Sequence, residues 1–220
     1  MASMSRVFLI RRPPLVSCLD EPFVPELTPA QRDEVEWRWA ALCRENPAYF
    51  DGRLLHVFGV HRNGAGGAII HAAECAYRYH AVHDDAFDTG TRPLGVKGVV
   101  ERDGRFLLGR RGAAVANYVG EWEFAPGGVV EPGESPERTI VRELEEETGA
   151  PARGAPIPLA VLYDDVLHCW EIVYRLELDG EPWASCAEYD AFAWRALSDL
   201  PAPMTPIARR IAALFPASGD

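Results

Sequence analysis

The sequence predicts an α/β fold in two parts: a mixed sheet enclosed by helices, an α/β/α sandwich, over residues 91–220, and a small α+β region over residues 1–90 before it. Three observations carry this. Strand-like runs at 94–101 and 105–110 flank an Asp103-Gly104 turn. Residues 136–148 repeat apolar side chains at helical spacing between a start and a stop signal. Turn formers gather at 88–93 (DTGTRP), where the two parts divide.

The elements follow in order. Thr28-Pro29-Ala30-Gln31 reads as a capping box that opens a helix to about Asn46, with Val35, Trp39 and Leu42 on one face. Trp37 and Trp39 are read as packing residues. LLHVFGV and GGAIIHA around residues 64–67 read as a hairpin. After the first two strands of the second part, residues 122–124 are strand-like and run into Gly127 and Gly128, and Pro132-Gly133 forces a tight turn. Ser135 as N-cap, Pro136 at the first helical position and Gly149 at the end bound the next helix. Strands near 159–163, 169–178 and 192–195 lead to a last helix, 205–215, with Ile207, Ile211 and Leu214 on one face. Asp164 and Asp165 read as a turn between strands.

Composition excludes several classes. A net charge of −11 argues against a nucleic-acid polymer as partner, since such binders carry a basic face. The five cysteines are odd in number and scattered, neither CxxC nor disulfide-like, as suits a reducing cytoplasm. The apolar run at 7–10 is too short for a signal peptide, and no stretch reaches the ~18 residues of a membrane span. A soluble, cytoplasmic protein without a membrane partner is expected.

The chemistry concentrates on the helix at 136–148. Ile140, Val141 and Leu144 fall on one side to face a core, while Glu143, Glu146 and Glu147 share an adjacent arc. Glu143 and Glu147 repel across one turn, and the last turn of a helix favours positive charge, at a cost of ~0.3–1 kcal/mol for each effect. Arg142 offsets part of this through Glu146 at i+4, but one guanidinium does not neutralise four glutamates. A hard cation with oxygen ligands, Mg²⁺ or Mn²⁺, fits such a cluster. A solvated acidic face is the bland alternative, and the fixed order of strand, glycine-lined loop and acidic helix argues against it.

These residues resemble the box of the Nudix hydrolase family, G-x5-E-x7-R-E-U-x-E-E-x-G-U with U a bulky aliphatic residue. Gly128, Glu134, Arg142, Glu143, Leu144, Glu146, Glu147 and Gly149 match it, and Ala150 departs at the last aliphatic position. The resemblance implies the same α/β/α sandwich and Mg²⁺-dependent cleavage of a pyrophosphate bond. It implies Glu143, Glu146, Glu147 and the Gly127 carbonyl as metal ligands, with Glu134 and Arg142 orienting them. Related enzymes supply a general base from the segment before the 192–195 strand, which points to Glu188; a plain loop carboxylate is an equal alternative. His168 beside Cys169 lacks metal-ligand spacing, and packing is its expected role.

Residues 1–90 are similar to the N-terminal part of UDP-glucose Nudix pyrophosphatases: Phe50-Asp51, Tyr77-Arg78 and Pro93-Leu94-Gly95-Val96 match in order. The resemblance implies a UDP-sugar as the small-molecule nucleotide substrate, yielding UMP and sugar 1-phosphate, with ADP-ribose or an oxidised nucleoside triphosphate as alternatives and a sensing module without turnover as a reading of another class. Tyr77 and Arg78 are then substrate contacts, against a packing Tyr77 and an Arg78 paired with Asp84 or Asp85. Arg110 or Arg111 for phosphates and Tyr118 or Trp122 for a base complete the expected set. A homodimer is the assembly that the resemblance suggests, and substrate selection or dimerisation is the expected role of residues 1–90.

Overall fold

Strand-like runs and turn signals resolve, in a computed structural model of the chain that describes residues 7–47, 49–84, 86–183 and 185–215, into eleven strands and four helices among those residues. They are β1 (Val7–Leu9), β2 (Leu15–Leu19), α1 (Pro29–Glu45), β3 (Arg53–Arg62), β4 (Ala68–Ala76), α2 (Arg78–Ala81), β5 (Leu94–Arg102), β6 (Arg105–Arg111), β7 (Trp122–Phe124), β8 (Gly127–Val129), α3 (Pro136–Thr148), β9 (Ile157–Asp164), β10 (Cys169–Leu176), β11 (Tyr189–Arg195) and α4 (Pro206–Ala212). The expected sandwich is present: the larger, eight-stranded sheet is mixed, ordered β1-β9-β10-β5-β6-β11, with β7 on β6 and β8 on β5.

Strand β5 sits inside this sheet, parallel to β10, and its near-continuous apolar run reflects burial on both faces. Leu94, Val96 and Val100 join Ile140 and Leu144 of α3 in one core, whereas Val99 joins Ile207, Ala208 and Ile211 of α4 in the other. Strands β5 and β6 pair only at their turn end, Glu101 with Phe106 and Arg102 with Arg105. Beyond that they part, and β7 and β8 line the opening, joined through the cis Ala125-Pro126 bond. The acidic helix lies beside this split.

A second sheet, β2-β4-β3, contains the expected hairpin, β3 antiparallel to β4. It packs on the same face of the large sheet as α3, because Leu55, Val57, Ile70 and Ala72 belong to the core that holds Ile140 and Leu144. The capping box of α1 forms as read, Thr28 accepting from the Gln31 N–H while the Gln31 side chain accepts from Thr28 N.

Three features depart from the sequence reading. Residues 7–9 are not a bare apolar run: β1 pairs antiparallel with β9, so the first strand among the described residues belongs to the large sheet. Neither β2 nor the short α2 was anticipated, since β2 alternates too little to stand out and α2 is a single turn. Trp37 is 65 % exposed and packs in no core, because α1 is amphipathic only weakly and buries Val35 alone. Trp39 does pack, edge-on to Tyr49 and Tyr77.

Candidate metal and nucleotide site

Helix α3 is held at both ends by the residues that mark it in the sequence. Ser135 Oγ accepts from the Arg138 N–H at 3.3 Å, and Gly149 ends the helix in the left-handed region (φ 73°). Ile140 and Leu144 are fully buried, which turns Glu143 and Glu147 toward β8 and the split in the sheet. Gly128 permits the approach: a Cβ there would stand 2.2 Å from Glu143 Oε1. The Gly127 N–H points at Glu147 Oε1 (3.4 Å).

Arg142 ties the carboxylates together, 3.3 Å from Glu134, 3.0 Å from Glu143 and 3.0 Å from Glu146. Glu134 also accepts from Thr139 Oγ1 at 2.9 Å, which fixes it beneath the guanidinium. Glu188 lies in the loop before β11, its carbonyl accepting from the Gly112 N–H, and its charge reaches both Glu143 and Glu147. Burial pushes the Glu143 carboxyl up to about 7, and the charges of Glu146 and Glu188 add to this while Arg142 opposes it. Burial also drives Glu147, only 4 % exposed, well above the usual carboxylate range, with Glu188 and Glu143 adding to it.

The residues fit a divalent cation. Glu147 Oε2 is buried without a hydrogen-bond partner among the described residues, and a buried polar atom left so costs ~1–3 kcal/mol. A hard cation would relieve both that atom and the mutual repulsion of an all-oxygen donor set.

Beneath this cluster lies a network that the sequence reading missed. Lys97 Nζ is 3.1 Å from Glu123 Oε2, and Arg111 Nη1 is 2.7 Å from Glu123 Oε1, which also accepts from Tyr189 OH at 2.9 Å. Burial alone would lower the Lys97 pKa, but Glu123 and Glu171 outweigh it and hold it raised. Burial pushes Glu171 up to about 7 against the pull of Lys97. The signal was available: VKG and WEF each set a charge inside an apolar run, and buried charges need each other.

The expected substrate contacts divide. Tyr77, with Tyr49 and Phe50, lines a cavity of about 410 Å³ that Arg142 and Glu143 line as well. Arg78 does not reach it: its Nε is 2.5 Å from Asp51 and its Nη1 2.8 Å from Glu36. That ion pair joins the two dipeptides singled out in the sequence and sets Tyr77 beside Phe50. Asp84 pairs with Arg38 rather than with Arg78, and Asp85 lies outside the described residues. Arg110 is on the surface, 2.7 Å from Asp190, while Arg111 turns inward to Glu123. Tyr118, at φ 58°, buries a hydroxyl without a hydrogen-bond partner among the described residues, and burial, with Asp164 and Cys169 nearby, raises its pKa. Trp122 stands under Arg110 at 6.0 Å. Asp164 caps its turn as read, accepting from Val166 and Leu167.

A layered α/β/α protein with clustered helix carboxylates, one of their oxygens buried without a partner among the described residues, has the features of the metal-assisted hydrolases. The model of the NUDIX domain matches residues 91–215. The chain belongs to the Nudix hydrolase family. It is 33 % identical over 114 residues to the 8-oxo-dGTP diphosphatase of Escherichia coli (strain K12), an alignment covering 50 % of this chain and 84 % of that one. It is 51 % identical over 57 residues to the CTP pyrophosphohydrolase of the same organism, covering 26 % of this chain and spanning 41 % of that relative's length. Among solved structures, a MutT NUDIX hydrolase from Burkholderia pseudomallei superimposes with a TM-score of 0.51 at 32 % identity, over 56 % of this chain and 97 % of that one.

Proposed function

We propose that the chain hydrolyses the pyrophosphate bond of a nucleoside diphosphate joined to a second moiety, with a UDP-sugar as the substrate and UMP and sugar 1-phosphate as products. The observation that carries this is the cavity shared by Tyr49, Phe50 and Tyr77 of residues 1–90 with Arg142 and Glu143 of the acidic cluster. It offers an aromatic compartment beside the carboxylates for a group beyond the diphosphate. Of the two dipeptides that resemble the UDP-glucose enzymes, Phe50 and Tyr77 line that wall, and the Asp51–Arg78 ion pair ties them together.

Glu143, Glu146 and Glu147, with the Gly127 carbonyl, would hold Mg²⁺ or Mn²⁺, which supplies charge neutralisation on the phosphate oxygens and a more acidic water. Arg142 orients Glu143 and Glu146, and Glu134 fixes Arg142 from below. Glu188, exposed and within electrostatic reach of Glu143 and Glu147, takes the proton of the attacking water. Tyr77 packs against the sugar or base, and the Lys97–Glu123–Arg111 network keeps the floor rigid.

A second reading, cleavage of a nucleoside triphosphate, draws support from the names of the two Escherichia coli relatives. Steady-state hydrolysis of UDP-glucose, ADP-ribose, CTP and 8-oxo-dGTP under one Mg²⁺ concentration separates them. The expected result is the highest kcat/KM for UDP-glucose, a KM for it raised in Tyr77→Ala, and a kcat lowered ~10²–10⁴-fold in Glu188→Gln. A preference for CTP or 8-oxo-dGTP untouched by Tyr77→Ala would overturn the nucleotide-sugar assignment.

A further inference from the structure

The second cluster of ligating side chains lies away from the acidic helix, where α2 and the segment after it meet the turn between β9 and β10. His83, Asp88 and His168 each bring one ligating atom to a common point, all within 4.8 Å of one another. His168 Nδ1 is 3.3 Å from Asp88 Oδ2, His83 Nδ1 is 3.7 Å from Asp88 Oδ1, and the two imidazoles lie 4.4 Å apart. Four ligands at 2.0–2.1 Å from a tetrahedral ion stand about 3.3 Å from each other. The His168–Asp88 separation already matches that spacing, and the wider ones, up to 4.8 Å, would close on an ion by small side-chain rotations.

Both Nδ1 atoms are buried without a hydrogen-bond partner among the described residues, and so is Nδ1 of the adjoining His80. Three such nitrogens in one place are unusual, because each costs ~1–3 kcal/mol. Asp88 explains why the carboxylate stays in position. Arg92 donates to both its oxygens (2.8 and 2.6 Å) and the Gly90 N–H to Oδ1 (2.7 Å). A carboxylate offers about four lone-pair sites, so these donors leave one on Oδ2, the oxygen nearest His168. Ligating carboxylates are commonly braced in this way by outer hydrogen bonds. His168 itself is held at φ 53° in the turn, with its ring beside that of His83.

We infer that His83, Asp88 and His168 form a binding site for a borderline transition-metal ion, Zn²⁺ first among them, that clamps His83 and Asp88 to the β9–β10 turn. Imidazole nitrogens with one carboxylate select zinc and its neighbours over Mg²⁺, so the site is chemically separate from the all-oxygen cluster on α3. Three protein ligands leave the fourth position to water. The clamp would adjoin a cavity of about 660 Å³ that His80, His83, Asp84, Val166 and Leu167 line together with Tyr77. Tyr77 also lines the cavity beside Glu143, so the ion would brace the aromatic wall of the candidate active site from behind.

The test titrates Zn²⁺ into the full chain in excess Mg²⁺, which keeps the carboxylate cluster occupied, and repeats the titration with Glu146→Gln/Glu147→Gln, His83→Gln and His168→Asn. Asparagine tolerates the positive φ at 168. One equivalent of Zn²⁺ is expected for the wild type and the glutamine pair, with affinity reduced ~100-fold or more in each histidine variant. X-ray absorption on the wild-type zinc form keeps the test valid even if a histidine variant fails to fold: two nitrogen neighbours at about 2.0 Å are expected. Absence of uptake, uptake lost only with Glu146 and Glu147, or an all-oxygen shell would each overturn the assignment.

Discussion

Glu143 shows how burial and neighbouring charge act together on a single side chain. Its ordinary pKa of 4.5 rises to about 7 through burial first and through Glu146 and Glu188 second. Between those values the folded chain keeps a proton that the unfolded chain has released, so stability falls as pH rises from about 4.5 to about 7 and levels off above. The penalty from this one group is roughly 3 kcal/mol at its full extent. Thermal melts of metal-free protein are therefore expected to show a lower Tm at pH 8 than at pH 5.5, and saturating Mg²⁺ is expected to remove most of the difference. A metal-free Tm that climbs across that interval would contradict the placement of Glu143. The spacing of the glutamates and Gly128 was legible in the sequence because helical periodicity is a local property. The partners of Arg78 and Arg110 were not, because a guanidinium's choice among nearby acids is made by tertiary position: Asp51 and Asp190 were in plain view, yet nothing in the chain ranked them above Asp84 or a phosphate.

Helix α3 was the most legible element, since its start and stop are chemical requirements rather than propensities. Ser135→Ala removes the acceptor for Arg138 N and is expected to cost about 1 kcal/mol, a Tm loss of roughly 2–4 °C for a chain of this size. Gly149→Ala is expected to cost more: the left-handed backbone adds ~1–2 kcal/mol, and a Cβ there would fall 1.8 Å from the Trp183 ring, which must move away. Calorimetry of both variants checks the order, and a Gly149→Ala chain as stable as wild type would show that the helix end relaxes freely. Strands β7 and β8 were harder to read. They appeared as one stretch because three-residue strands carry too little alternation to count, and only the pairing of β8 with β5 separates them. The His83–Asp88–His168 cluster was invisible for a related reason: His168 comes from a turn far along the chain from the segment that carries His83 and Asp88, so no spacing rule joins them.

At the scale of the molecule, the sandwich and its two enclosing helices were predicted, while the way residues 1–90 engage the rest was not. The three-stranded sheet and α3 share one apolar core. Removing residues 1–90 would uncover Leu94, Val96, Val161 and Ile172 where they meet Leu55, Val57 and Ile70. A truncated chain of residues 91–220 is therefore expected to melt well below the full chain or to precipitate. Circular dichroism melts and size-exclusion chromatography decide it, and a monodisperse fragment with the full-length Tm would mean that the two cores are independent.

Strand β1 has a protective side as well. Ile157–Asp164 presents the sequence IPLAVLYD along the outer margin of the sheet, and an unpaired, aliphatic ribbon of this length invites stacking with a stranger's backbone. Val7, Phe8 and Leu9 occupy that margin themselves, opposite Leu162, Val161 and Ala160. Among the described residues they replace that margin with an edge three residues long, which covers Ala160–Leu162 against pairing with another backbone.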